Sequence, residues 1–223
     1  MKETFIRFFA PVMPNTVDML FKAIDQKFKE KFERINLLIS SPGGSVFHGL
    51  TLYNYLKGLP IEIYTYNFGS VDSIGVIIFC AGKKRFSVPH SRFLIHGVKF
   101  NINGQVSMDE KQVEEHLKGL KIDQQNISRV IADTTGKPMH KIEEDMHNRT
   151  TLNPQEAKDY GLVHEIKSDL IPMDANLVVI GEPIVHNPVM QIPPQIIQQV
   201  HAVTEPLIKS YTEINDSQSI DKK

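Results

Sequence analysis

Short apolar segments alternate with helical segments between residues 4 and 81, and this alternation constrains the fold more than any other feature of the chain. Segment 35–39 is almost wholly apolar, as expected of a strand covered on both faces of its sheet. A helical segment follows at 45–57, then an alternating strand at 61–66 and a second helical segment at 73–81. Repeated βαβ units form right-handed crossovers and parallel sheets. We therefore predict an α/β fold with a mainly parallel sheet flanked by helices.

The same periodicities predict the remaining elements. A strand-forming apolar run lies at 4–9, and a helix with apolar residues at steps of three and four follows it, with Asn15 or Thr16 as its cap. Further strands are predicted at 85–88, 92–96 and 163–166, and helices at 109–133, 139–147 and 153–161. Asn153 and Pro154 suit the start of the last helix, and Gly161 suits its end.

Length and the distribution of proline predict one main domain with an extension. The 223 residues fall within the single-domain range, and prolines interrupt any periodic pattern beyond residue 168. We assign residues 1–168 to the main domain and 169–223 to a carboxyl-terminal extension with a weak helical pattern at 196–211. The last residues, 212–223, are polar and are predicted to be disordered.

Charge and cysteine content exclude several classes of partner. The chain has 25 Lys+Arg and 26 Asp+Glu without a long run of one sign, which argues against nucleic acid. It has no stretch that could span a bilayer and no secretory leader, so we expect a cytoplasmic protein without a membrane partner. The single cysteine, Cys80, lies in an apolar run and is predicted to be a buried hydrophobe in a reducing compartment. His48, His90 and the carboxylates lack zinc-type spacing, so no metal and no cofactor is expected.

A glycine-rich segment, Ser-Ser-Pro-Gly-Gly-Ser at 40–45, lies between a predicted buried strand and a predicted helix. Two glycines permit positive φ and expose backbone N–H groups beside a helix amino terminus. Such groups stabilise a developing oxyanion. Pro-Gly-Gly is also typical of an ordinary turn, and the segment alone does not separate the two.

A serine and a histidine follow at the ends of later strands. Ser73 begins the apolar helix after Gly69, where the helix dipole favours an alkoxide-like transition state, although Ser73 or Asp72 would also serve there as a helix cap. His96 closes a strand before Gly97 and should lie at the carboxyl edge of the sheet, where catalytic groups of α/β proteins gather. A histidine that closes a strand is also common as an ordinary surface residue.

Four motifs in order resemble the signatures of the Clp peptidase (ClpP) family of the ClpP/crotonase-like superfamily, and of its relatives among phage prohead proteases. They are Ser-Pro-Gly-Gly-Ser-Val at 41–46, the serine flanked by glycines at 69–75, Ser-Arg-Phe-Leu-Ile-His at 91–96, and Leu-Asn-Pro-Gln-Glu-Ala at 152–157 with Tyr-Gly-Leu-Val at 160–163. The resemblance covers about residues 5–166. It implies a spiral of repeated ββα and βαβ units.

The resemblance also implies a mechanism and an assembly. Ser73 would be the nucleophile, His96 the general base, and the N–H groups of Gly44 and Ile74 the oxyanion hole of a serine endopeptidase. The substrates would be peptides or unfolded proteins. The chain would form a homo-oligomeric ring, a heptamer or double heptamer, with contacts between rings from helix 109–133 and segment 97–105.

The chain departs from the family where the third member of the triad should stand. Arg149 occupies the position of the family's acidic residue, and a cation cannot accept a hydrogen bond from His96. Asn148 or Asp145 could orient the imidazole instead, and each could equally be a solvated helix residue. The chain also begins almost at its first strand, where the family has residues that form axial loops, which weighs against docking to an ATP-dependent unfoldase.

Two alternatives to an active peptidase stand beside it. One is a weak or silent ClpP-like subunit with a role in assembly or regulation, which Arg149 favours. The other is a crotonase-like acyl-CoA enzyme, because that group shares the spiral fold and an oxyanion hole. The motifs around Ser73 and His96 argue against the acyl-CoA enzyme.

Overall fold

The protein is represented by a computed structural model that describes residues 1–99 and 107–180. Within those ranges one sheet of eight strands is flanked by helices, and every strand pair is parallel except one. The predicted fold class is confirmed. The predicted helix at 196–211, the disordered tail and most of segment 97–105 lie outside the described residues.

The first βαβ unit forms the centre of the sheet. It comprises β1 (Glu3–Phe9), α1 (Pro14–Lys29), β2 (Arg34–Ser41) and α2 (Val46–Gly58). β1 and β2 pair in parallel along their length. The helix cap was predicted two to three residues too late, because the cap residue is Met13 and α1 begins at Pro14. The hydroxyl of Thr16 instead accepts a hydrogen bond from the Met13 N–H.

The second unit is built around one long strand. It comprises β3 (Glu62–Asp72), α3 (Ile74–Cys80), β4 (Lys84–Ser87) and β5 (Arg92–Leu94). β3 is longer than predicted because its first half pairs with β4 and its second half pairs with β5. The exchange of partner along a single strand starts the spiral and places β5 beside the carboxyl end of β3.

The last elements of the main domain close the structure around these strands. They are α4 (Glu110–Thr135), α5 (Met139–His147), β6 (Thr151–Leu152), α6 (Pro154–Tyr160) and β7 (Glu165–Ile166). Gly136 ends α4 in the left-handed conformation. Asn153 caps α6 by accepting from the Glu156 N–H, as predicted. β6 is the antiparallel partner of β5.

One further strand lies in the segment that the sequence assigned to the extension. β8 (Leu177–Ile180) pairs in parallel with β1. The Thr4 hydroxyl also donates to the backbone carbonyl of Asn176 at 3.0 Å. The extension therefore contributes an edge strand to the sheet of the main domain.

The core lies between the sheet and the helices, with a smaller cluster on the other face of the sheet. Phe8, Phe79 and Phe93 are among the largest fully buried side chains. The smaller cluster contains Phe5, Leu38, Tyr66 and Phe86. Cys80 is buried as predicted, and burial raises the pKa of its thiol to about 11, which suits a packing role and not a reactive one.

Candidate active site

The glycine-rich loop between β2 and α2 is held against the start of α1. The Val12 N–H donates to the Gly43 carbonyl and the Ser45 N–H donates to the Val12 carbonyl, each at 2.8 Å. Gly43 has φ of 88° and Gly44 has φ of 148°, values that side chains rarely permit. A Cβ atom on Gly43 would lie 2.6 Å from the Cβ of Ser73, and one on Gly44 would overlap the Val12 carbonyl. The loop therefore requires glycine at both positions, because Gly43 lies against Ser73 and Gly44 lies against Val12.

Ser73 occupies a sharp turn between β3 and α3. Its backbone has φ of 59° and ψ of −128°, which is unfavourable for a residue with a side chain. Its N–H donates to the Leu94 carbonyl at 2.8 Å, which fixes the turn against β5. A strained strand-to-helix turn presents the nucleophilic serine of α/β-hydrolases. The sequence predicted Ser73 inside the first helical turn, whereas the structure places it just before the helix.

His96 follows β5 and is held from both sides by the end of α5. The Ile95 N–H donates to the Thr150 carbonyl at 2.9 Å, and the Gly97 N–H donates to the Met146 carbonyl at 3.1 Å. The half-buried imidazole has Nδ1 2.7 Å from the Gly97 carbonyl oxygen. Because a carbonyl oxygen only accepts, Nδ1 carries the proton, and Nε2 of the neutral ring keeps a free lone pair.

These groups line one cavity of about 170 Å³, which Gly44, Ser73, Ile74 and His96 share. Ile74 is the first residue of α3, and the first N–H groups of a helix have no acceptor within it. The structure thus brings together a strained serine, a histidine whose Nδ1 is bound to a carbonyl, and backbone donors. No hydrogen bond joins Ser73 to His96 within the described part of the chain.

The other two predicted site residues, Asp145 and Asn148, lie at the end of α5. Within the described part of the chain, neither forms a hydrogen bond with His96. Asp145 is buried, and its carboxylate accepts from the Tyr160 hydroxyl at 2.7 Å and pairs with Lys141 at 3.1 Å. Burial and this carboxylate raise the pKa of Tyr160. Asn148 is exposed at the end of α5, and Arg149 is exposed with φ of 55°.

A partly buried ion pair lies beside the serine, where the sequence indicated Asp72 only as a helix cap. The Asp72 carboxylate accepts from the Arg92 guanidinium at 2.8 Å, which links β3 to β5. The second carboxylate oxygen of Asp72 is buried without a partner among the described residues. The pair joins the strand that leads into Ser73 to the strand that leads into His96. The sequence did not reveal this ion pair because it did not reveal that β3 pairs with β5.

Comparison with known proteins agrees with this architecture. Residues 12–169 match the Clp protease family. The structure is also similar to a ClpP1 mutant from Listeria monocytogenes, with 26% sequence identity and a TM-score of 0.67. That similarity covers 74% of this chain and 91% of the Listeria chain.

This chain belongs to the Clp protease family, a family of peptidases whose members form oligomeric rings. The family and the fold support a Clp protease-type function. No helix within residues 1–99 and 107–180 is both long and apolar enough to cross a membrane.

Proposed function

We propose that the protein is a serine endopeptidase that hydrolyses peptides or unfolded proteins, with Ser73 as nucleophile and His96 as general base. The observation that carries the proposal is the shared cavity, in which the strained turn of Ser73, the ring of His96 and the glycine-rich loop meet. Family membership favours peptidase chemistry over the acyl-CoA chemistry of the wider superfamily.

In the proposed reaction, the Ser73 hydroxyl attacks the peptide carbonyl while Nε2 of His96 takes its proton. The N–H groups of Gly44 and Ile74 hold the oxyanion, and each such donor contributes about 3 kcal/mol to the transition state. The tetrahedral intermediate collapses as the C–N bond breaks, and the imidazolium gives its proton to the leaving amine. Water then attacks the acyl-enzyme by the same steps, which releases the carboxylic acid product and restores the Ser73 hydroxyl.

The orienting role of the usual acid falls to the Gly97 carbonyl in this proposal. Its hydrogen bond from Nδ1 selects the tautomer in which Nε2 is the base. A neutral carbonyl stabilises an imidazolium less than a carboxylate does. We therefore expect a slow enzyme in which Ser73 and His96 act as a dyad, with Asp145 and Asn148 as the other candidates for the third position.

A weak or silent subunit is the second candidate function, and two observations favour it. Arg149 stands where the resemblance places the acid, and the carboxylate of Asp145 is already bound to Tyr160 and Lys141. In this case the chain would serve assembly or regulation of a related peptidase. With either function we propose a cytoplasmic location, in which the free, buried thiol of Cys80 would stay reduced.

A homo-oligomeric ring is part of the proposal, with seven subunits by resemblance. The first half of α4 is exposed and carries apolar side chains, with Val113 and Leu117 each 51% exposed and Ile122 46% exposed. Val113 and Leu117 are four residues apart and share one face of the helix, and a contiguous exposed apolar patch is typical of a protein interface. We propose that α4 contacts a second ring and that Leu117→Asp separates the rings, measured by sedimentation velocity. Sedimentation of the unaltered protein as a monomer at micromolar concentration would contradict the ring.

The test of the chemistry is labelling with a serine-directed fluorophosphonate. We expect the label on Ser73 and its loss in Ser73→Ala. Ser70→Ala and Ser45→Ala are matched controls, because Ser70 lies near the end of β3, three residues before Ser73, and Ser45 lies 2.8 Å from the ring of another histidine, His48. Label that survives Ser73→Ala contradicts the assignment. A protein that folds but takes no label supports the silent subunit.

A further inference from the structure

A groove of about 730 Å³ adjoins the candidate active site. The groove and the cavity of Ser73 share four lining residues, Gly44, Val46, Val98 and Lys99, so the two are continuous. One wall is the glycine-rich loop with the start of α2, and the other wall is α4. A substrate chain bound at Ser73 can therefore extend along this groove.

Asp123 is the acidic residue of α4 that faces the groove nearest to the cavity. Ile127, four residues further along α4, lines the cavity itself. Residues four apart lie on one helix face, separated by about 6 Å along the axis. An extended chain advances about 3.3 Å per residue. A side chain about two residues from the scissile bond would therefore reach Asp123.

Asp123 has no ion-pair or hydrogen-bond partner that the described residues supply, and it is only partly exposed. Partial burial raises the pKa of its carboxyl, which reflects the cost of leaving this charge without a partner. A cationic side chain of a substrate would supply the missing partner and recover that cost.

The other charges of the groove differ from Asp123 in their exposure. Lys99 and Glu115 are exposed, so water solvates both and screens their effect on a ligand. His116 also lies in the groove and interacts with other groups of the protein. Asp123 is the less exposed of the acidic residues in this groove and therefore dominates the selection of charge.

We propose that Asp123 makes the groove selective for substrates with Lys or Arg about two residues from the scissile bond. This inference rests on the proposed function and adds a substrate class to it. A charged hydrogen bond in a partly desolvated site favours the cationic peptide over its neutral isostere by about tenfold in affinity. The preference should weaken as salt concentration rises.

The test measures binding without requiring turnover. Fluorescent peptides that differ only by Lys, Gln or Glu at each of the positions around the cleaved bond are bound to the Ser73→Ala protein, and affinity is read by anisotropy. We expect Lys to exceed Gln by about tenfold at one position and Glu to bind worst. Asp123→Asn should abolish the difference between the Lys and Gln peptides.

Asp133→Asn is the matched control, because Asp133 is an exposed carboxylate on the same helix outside the groove. It should retain the full preference for Lys. Equal binding of Lys and Gln peptides by the Ser73→Ala protein, or a preference that persists in Asp123→Asn, overturns the inference. Failure of the proposed function is a separate result, since it is read from fluorophosphonate labelling of the unaltered protein.

Discussion

Arg149→Asp is the change that best tests how His96 is oriented. Residues 146–150 flank His96, because the carbonyls of Met146 and Thr150 accept the N–H groups on either side of it. Arg149 is exposed and left-handed, and Asp tolerates that backbone conformation better than most residues. The substitution should therefore fold and place a carboxylate beside the imidazole.

The expected gain follows from the hydrogen bond that His96 already makes. Loss of the acid in an established triad costs about 10⁴-fold in turnover, mostly because the wrong tautomer forms. Here the Gly97 carbonyl already selects the tautomer. Replacing a neutral acceptor by a charged one adds about 1–1.5 kcal/mol, so we expect about a tenfold rise in kcat.

The assay is hydrolysis of a fluorogenic peptide by the Arg149 variants. Arg149→Asn is the matched control, because Asn also tolerates the left-handed conformation but carries no charge. Equal rates for the Asp and Asn variants would refute the reasoning. A sharp loss of activity in Asp145→Ala or Asn148→Ala, with little effect of Arg149→Asp, would identify the third member there. Asp145 could matter because it orients His96 or because it binds Tyr160. Tyr160→Phe separates these two roles, since it removes the hydrogen bond between Tyr160 and Asp145 and keeps the carboxylate.

Three further predictions concern stability. Arg92→Leu should lower the free energy of unfolding, measured with urea, by about 2 kcal/mol. This loss is smaller than for breaking a fully buried ion pair, because Arg92 is half exposed. Adding Asp72→Asn to the Arg92→Leu protein should reduce the loss. Gly43→Ala should lower the free energy of unfolding by about 3 kcal/mol and slow fluorophosphonate labelling of Ser73. Gly58→Ala is the control, because Gly58 has open space around it, and it should do neither. Equal effects of the two substitutions would contradict the close approach of Gly43 to Ser73. Partial burial and the neighbouring guanidinium of Arg85 lower the pKa of His164 in the folded protein. The contribution of His164 to stability should therefore be full above about pH 6.5 and fall as the pH drops through the lowered pKa. His164→Gln should flatten this pH dependence of the unfolding free energy.

Local patterns predicted the elements because those elements depend on near neighbours in the chain. The buried strand β2, the break at Gly136 and the capped start of α6 each depend on residues within a few positions. The glycine-rich loop was also predictable, since positive φ restricts the choice of residue. The order of the four motifs indicated the family, which the match over residues 12–169 confirms.

Contacts between distant segments were beyond the reach of such patterns. The length of β3 depends on two strands that lie further along the chain, and β8 depends on pairing with β1. Neither pairing leaves a periodic signal in the strand that it extends or adds. The edge strand therefore appeared in sequence only as part of a proline-interrupted extension.

The sequence alone determined which residues are candidates for catalysis, because only a few residue types perform nucleophilic and acid–base chemistry at the ends of parallel strands. The tertiary structure decided what each acidic side chain contacts. Asp145 binds Tyr160, Asp72 binds Arg92, and Asp123 faces the groove. The physical reason is that a carboxylate takes its role from the donors and the burial around it, and packing brings those donors from distant parts of the chain.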